Sequence, residues 1–225
     1  MQVETIRTIL EGARPQGWVL EPEAKRLLSA ARIRVPRFGV FADKAKAIEF
    51  AEKLGFPVVA KIVSPEVVHK TDVQGVLTGI DDGDTLGAAF DRFSAHASFA
   101  GVLVEEMLDG HELIIGGRID PQFGPVVLLG MGGIAVEVYQ DVSIMMAPVN
   151  RMQVRSMLDR LKGAKTLFGF RGRPAIDEEA LCRTVVAFSR LLVKIGPWID
   201  SVDLNPVMCS PKACIVADAR IMLRS

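Results

Sequence analysis

Residues 199–207 read Ile199-Asp200-Ser201-Val202-Asp203-Leu204-Asn205-Pro206-Val207, and Ile215-Val216-Ala217-Asp218-Ala219-Arg220 follows a Ser210-Pro211-Lys212 break. Side chains alternate faces along a strand, so Asp203 and Asn205 share one face and Val202 and Leu204 the other. A hairpin closing around Pro211-Lys212 sets Asn205 opposite Asp218. Directly opposed residues hold their Cβ atoms about 5 Å apart. Three oxygen-bearing side chains gather there, a donor set that suits Mg²⁺, which takes one or two carboxylates plus water and phosphate oxygens. The other reading is a solvated polar face on an edge hairpin.

Lys61 lies in the apolar run Val58-Val59-Ala60-Lys61-Ile62-Val63. A lysine buried in such a strand needs an anionic partner, which a nucleotide phosphate would supply. On a half-wet strand it would need none. The loop Ser64-Pro65-Glu66-Val67-Val68-His69-Lys70-Thr71-Asp72-Val73-Gln74-Gly75 sets His69 beside Asp72. Asp72 can orient the imidazole and leave its other nitrogen as nucleophile or base. A plain surface histidine is the alternative, and it is the reading for His96 and His111. Val102-Leu103-Val104-Glu105-Glu106-Met107 ends a strand whose backbone can meet a base edge, or is only a linker strand. Glu112 starts the next strand, where an acid faces ribose, metal or water. Gly130-Met131-Gly132-Gly133-Ile134-Ala135 matches a dinucleotide fingerprint but precedes a strand-like stretch, so a tight glycine turn or close backbone approach fits better.

The positioning elements follow from periodicity. Ala24, Leu27, Leu28 and Ala31 make one helix face. Asp43 caps a helix to Leu54, with Gly55 as its stop. Residues 57–63 and 73–80 read as strands, Asp84 as the cap of the next helix, and 101–107 as another strand. Residues 112–119 and 125–130 are strands joined at Asp120-Pro121, and 132–138 is extended. Asn150 caps a helix burying Val154, Met157, Leu158 and Leu161. A Gly- and Arg-rich loop spans 162–176, and Asp177 opens the clearest helix, with Leu181, Val185, Phe188, Leu192 and Ile195 inward. The mixture predicts an α+β protein of two lobes: 1–21 as an N-terminal extension, 22–104 as one lobe and 105–225 as the other.

Composition is that of an ordinary folded protein, 49% hydrophobic and 24% charged. Lys+Arg and Asp+Glu both number 27, so nothing global points to nucleic acid or a membrane surface. No apolar run approaches a membrane span, and the N-terminal residues carry charges where an export signal needs an apolar core, so a cytoplasmic location is expected. The three cysteines, Cys182, Cys209 and Cys214, make no zinc spacing. Cys209 and Cys214 face each other across the hairpin, with reduced buried thiols as the expected state.

Taken in order, the Lys61 strand, the S-P-E-V-V-H-K-T-D-V-Q-G-V loop, V-L-V-E-E-M, H-E-L-I-I-G, D-P-Q-F-G-P-V-V-L-L-G-M-G-G, R-G-R-P, D-L-N-P and A-D-A-R resemble the ATP-grasp (β) subunit of NDP-forming acyl-CoA synthetases, the ADP-forming acetate–CoA ligases and relatives of succinyl-CoA synthetase. The resemblance covers residues 20–222. It implies an ATP-grasp fold of two α+β lobes that clasp ATP or ADP. Lys61 would contact phosphates. Glu105 and Met107 would lie at the adenine, and Glu112 beside the ribose or triphosphate. Asn205 and Asp218 would hold Mg²⁺, with Asp203 beside them, and His69 would receive a phosphoryl group. The implied reaction is acyl-CoA + ADP + phosphate ⇌ carboxylic acid + CoA + ATP, shared with a CoA-binding α-type subunit in an α2β2 assembly. The family usually has glycine at the position of Gln74 and a basic residue before Ala147-Pro148; this sequence has neither. A non-catalytic ATP-binding regulatory subunit is the alternative, and His69 argues against a third, an ATP-grasp ligase for amine acceptors.

Overall fold

A computed structural model describes residues 2–133 and 141–224. The chain divides into two compact units, 36–108 and the combined segments 1–35 and 109–225. This differs from the expected boundaries at 22 and 105. The first 35 residues belong with the C-terminal half, and 36–108 is an insertion into it.

The reason is a short edge strand. Helix α1 (Gln2–Gly12) and strand β1 (Trp18–Val19) precede helix α2 (Glu21–Ala30). β1 pairs antiparallel with the last strand, as Trp18↔Met222 and Val19↔Ile221, and Leu223 N–H donates to Gly17 C=O at 2.9 Å. Two residues carry no periodicity, so the pairing is invisible in sequence. α2 has the expected face, with Ala24, Leu27 and Leu28 fully buried. It also buries Lys25 completely, paired to Glu21 at 2.8 Å one turn earlier.

The inserted unit is a four-stranded antiparallel sheet in the order β2 (Phe38–Phe41), β5 (Gly101–Glu106), β3 (Val58–Val63), β4 (Val76–Ile80). Helices α3 (Lys44–Leu54) and α4 (Gly83–Ser94) complete it. Its core joins Ala47 and Ala51 of α3 and Leu86, Ala89, Phe90 and Phe93 of α4 with Val58, Ala60, Ile62, Val102 and Val104 of the sheet. Asp43 caps α3 as expected, accepting from Lys46 N–H at 2.9 Å. The α4 cap is Asp82, not Asp84: its carboxylate accepts from Thr85 N–H at 2.7 Å, which holds its pKa below the usual carboxylate value.

Among the described residues the larger unit has a seven-stranded sheet in the order β1, β11 (Ala219–Leu223), β9 (Ile199–Cys209), β6 (His111–Asp120), β7 (Gly124–Met131), β8 (Val142–Met146), with β10 (Cys214–Val216) also on β9. Asp120 closes the β6–β7 turn, accepting from Gln122 N–H at 2.8 Å and Phe123 N–H at 3.0 Å. Helices α5 (Arg151–Asp159) and α6 (Glu178–Ile195) join its core. Asn150 and Gln153 form a reciprocal capping box on α5, and Asp177 caps α6, accepting from Ala180 N–H at 2.9 Å. Leu181, Val185, Phe188, Leu192 and Ile195 are all fully buried, as their spacing predicts. The extended reading of 132–138 falls outside the described residues from 134 onward. Among the described residues no helix is long and apolar enough to cross a membrane.

Cys209 and Cys214 form a disulfide, in place of the expected thiols. They are directly opposed in the β9–β10 ladder, with Cα atoms 4.2 Å apart. Cys182 is free and fully buried, and burial first, then nearby Glu178, raises its thiol pKa. The native chain should therefore give no fast reaction with a disulfide reagent, and non-reducing denaturant should release one titratable thiol per chain, that of Cys182. Three thiols on unfolding would show the pair to be open.

Candidate nucleotide and phosphoryl-transfer site

The candidate residues divide between the two units. In the inserted unit, Lys61 stands on β3 opposite Leu103 of β5, and Val59 stands opposite Glu105. Lys61 and Glu105 are thus diagonal neighbours on one face, within reach of long side chains. Lys61 Nζ lies 2.9 Å from Glu105 Oε1, with both side chains buried. The anion that the buried lysine requires is a carboxylate of its own sheet. Glu105, expected at a base edge, directs an oxygen to Lys61. Its neighbour Glu106 binds Arg37 twice, accepting from the backbone N–H at 2.9 Å and from Nε at 2.8 Å. Met107 follows the last ladder pair, Val58↔Glu106, and is 46% exposed.

His69 is exposed at the start of a 3₁₀ turn, Lys70–Val73. The loop around it is fastened at both ends. At its start, buried Ser64 shares a 2.6 Å hydrogen bond with Ser98, whose hydroxyl is 3.2 Å from His96 Nδ1, and Val67 enters the core. At its end, Gly75 N–H donates to Lys70 C=O at 2.7 Å and Ile62 N–H donates to Gly75 C=O at 2.8 Å. A Cβ on Gly75 would sit 2.5 Å from Ile62 Cγ2, so only glycine fits without a shift. Arg92 of α4 donates to Gln74 C=O at 2.9 Å. Gln74 has φ 50°, the left-handed region where glycine is favoured. The departure noted in sequence thus falls on a backbone position that prefers the missing glycine. His96 is half-buried in this fastening rather than a plain surface residue.

In the larger unit the hairpin register is the expected one. β10 meets β9 as Cys214↔Cys209 through Val216↔Val207, and β11 resumes as Ala219↔Leu204. Asn205 and Asp218 oppose each other in the gap: Asn205 N–H donates to Asp218 C=O at 3.2 Å, and Ala217 N–H to Pro206 C=O at 3.0 Å. On the other edge, β6 advances two residues (Leu113↔Val207 to Ile115↔Leu204) while β9 advances three. The extra residue makes a bulge at Asn205-Pro206, where proline has no N–H to give. Asn205 is exposed and Asp218 half-buried. Asp203 faces Arg220 directly, with its Oδ2 3.6 Å from Nη2. Asn205 and Asp218 fit a Mg²⁺ that keeps water or phosphate oxygens. Asp203 is engaged by a cation. No group of three or more His, Cys, Asp or Glu that could hold a metal occurs among the described residues.

Glu112 is exposed on β6, while its neighbours Leu113 and Ile115 enter the core, so it shares the non-core face with Asn205. The glycine turn serves it. Gly132 N–H donates to Glu112 C=O at 2.8 Å, and a Cβ on Gly132 would stand 2.7 Å from that carbonyl. The close backbone approach expected of this turn is to Glu112. Sequence reasoning missed two buried polar anchors. His111, expected on the surface, is 6% exposed and its Nε2 lies 3.0 Å from Pro174 C=O. Buried Asp141 accepts from Lys162 N–H at 2.8 Å and Gly163 N–H at 2.7 Å. Both hold the Gly/Arg-rich loop, and only burial distinguishes them.

An ATP-grasp domain model matches residues 12–223. The chain is 36% identical over 231 residues to the β subunit of acetate–CoA ligase [ADP-forming] I of Pyrococcus furiosus, covering 99% of each chain. It is 38% identical to acetate–CoA ligase [ADP-forming] I of Archaeoglobus fulgidus, of which it spans 33%. A solved acetyl-coenzyme A synthetase 1 of Ca. Korarchaeum cryptofilum, in complex with coenzyme A, Ca-AMPCP and HgCl+, superposes with a TM-score of 0.91 and 39% identity over 97% of this chain and 99% of that one.

The buried Lys61–Glu105 pair yields a stability test. Removing one partner of a buried pair costs about 3–5 kcal/mol, whereas an apolar replacement of both can be near neutral. Glu105→Ala should lower the urea midpoint by a corresponding amount, and the double variant Lys61→Met, Glu105→Leu should recover most of it. Equal loss in both would show that the pair has no coupling.

Proposed function

We propose a function from one premise: this chain belongs to the ATP-grasp family, in the branch that holds β subunits of ADP-forming acetate–CoA ligases. It is the nucleotide-binding, phosphoryl-transferring subunit of an ADP-forming acyl-CoA synthetase. The end-to-end match to a β subunit of this kind carries the reading. The reaction is acyl-CoA + ADP + phosphate ⇌ acid + CoA + ATP, with ATP and ADP as the nucleotides.

The residues support this assignment in their chemistry. Phosphoryl transfer depends on positioning and on charge neutralisation. Lys61 brings an ammonium to the phosphates, and Glu105 aims it. Met107, exposed just past its strand, offers backbone groups to adenine, and Glu112 meets the ribose or triphosphate. Asn205 and Asp218 hold Mg²⁺, which when bound neutralises phosphate charge; Asp203, tied to Arg220, flanks them. His69 accepts the phosphoryl group on an imidazole nitrogen, an N–P bond forming as the phosphorus bond to the carrier on the partner breaks, and gives it to ADP as that N–P bond breaks in turn and a P–O bond forms. Its exposure on a fastened loop suits a group that must meet a carrier from outside. Coenzyme A and acyl sites fall to an α-type partner, in an α2β2 assembly. The longer Archaeoglobus relative, of which this chain spans a third, supports a division of that kind. A non-catalytic nucleotide-binding subunit is the second reading, favoured by the side chain of Gln74 at its left-handed position.

With the partner present, His69→Ala should abolish ATP formation from acyl-CoA while nucleotide affinity stays within about twofold. Normal turnover in that variant would sink the phosphohistidine role, and nucleotide binding without any turnover in the wild-type assembly would leave the second reading. Asp218→Ala should remove the Mg²⁺ dependence of nucleotide binding, measured by titration calorimetry with and without the metal. Unchanged metal dependence would sink the ligand assignment.

A further inference from the structure

A cavity of about 270 Å³ opens in the larger unit, formed by α1, the end of α2 and α6. Its floor is apolar, with Ile6, Ala31, Ala187 and Leu191. Its rim is cationic, with Arg32, Arg190 and Lys194, and among the described residues no acidic side chain lines it. None of the three cations makes a side-chain hydrogen bond or ion pair among the described residues.

These cations are held against local preference. α2 ends with Ile33 N–H donating to Leu28 C=O at 3.0 Å and Arg32 N–H to Ser29 C=O at 2.9 Å. This closure places Arg32 in the left-handed region at φ 63°, where glycine is the usual residue. Arg190 and Lys194 are four residues apart on α6, the spacing at which like charges repel. A strained arginine and a repelling pair converge on one concavity. Departures of that kind from local rules concentrate at functional sites.

We infer that this cavity binds a phosphate monoester carried on a short apolar stem. Three cations call for more than one negative charge, and a phosphate dianion supplies two. Guanidinium forks match its oxygens in pairs. The apolar floor takes the stem, and the volume suits a small ligand. The site is built from helices, apart from the sheet positions that carry Glu112, Asn205 and Asp218.

The test is titration of the full chain with n-butyl phosphate and with inorganic phosphate at low ionic strength. Butyl phosphate should bind saturably and about tenfold or more tighter than inorganic phosphate, because the stem buries apolar surface. Two variants, Arg32→Gly and Arg190→Glu, should each weaken that binding about tenfold. Both should leave the thermal midpoint of the unliganded protein unchanged or higher, since one relieves the left-handed side chain and the other turns a repulsion into an i, i+4 pair. The proposal is overturned by absence of saturable binding, by equal affinity for both phosphates, or by a wild-type isotherm in the variants. Lowered midpoints with unaltered binding would make the cations structural.

Discussion

Strand β9 is the constraint on which the larger unit turns. It pairs with β6 along one edge and with β10 and then β11 along the other. Both outer partners keep one register, so the interruption between them has a fixed address, Ala217-Asp218. Opposite that gap, the bulge at Asn205-Pro206 re-aims the strand. A one-residue slip would send Asp203 and Asn205 into the core and Val202 and Leu204 out, which the buried face forbids. The hydrophobic alternation of a short segment therefore places a polar pair to within a residue.

That is why the hairpin was legible in sequence. Its register follows from alternation and a turn, both local. The helix caps at Asp43, Asn150 and Asp177 were legible for the same reason. Two misses are local, the α4 cap at Asp82 rather than Asp84 and the Cys209–Cys214 disulfide, and the others are non-local. Lys25, His111 and Asp141 are polar residues whose burial depends on what folds over them, and no pattern near them announces it. Lys61 is the instructive case: an apolar strand told that an anion was needed, but the carboxylate came from Glu105, 44 positions on. The division of the chain failed in the same way, because the two residues of β1 bind the first 35 positions to the far end.

Carboxylates recur as devices for fixing backbone. Asp141 grips two consecutive N–H groups of the turn after α5, and Glu106 grips Arg37 through both backbone and side chain. Charge-assisted bonds are the stronger ones, and burial of Asp141 adds a low-dielectric setting to its pair. The His69 loop is fastened by two serines, a glycine and the Arg92 guanidinium on the Gln74 carbonyl, and leaves its imidazole exposed. The loop is thus held at its ends and exposed at its centre.

The insertion has a consequence for how the protein comes into being. Residues 36–108 are contiguous, so every contact of that unit is in hand once about half the chain has left the ribosome. The larger unit must wait, because β1 cannot pair until residues 219–223 emerge. Domains fold as units during synthesis, N-terminal parts first. Here the segment made before the insertion completes its structure after it. During translation α1, β1 and α2 are held as an unfinished edge, with apolar Trp18, Val19, Leu27 and Leu28 awaiting partners some 200 residues downstream. The larger unit's vulnerability to misassembly lies in the segment before the insertion, and is relieved when β11 pairs with β1.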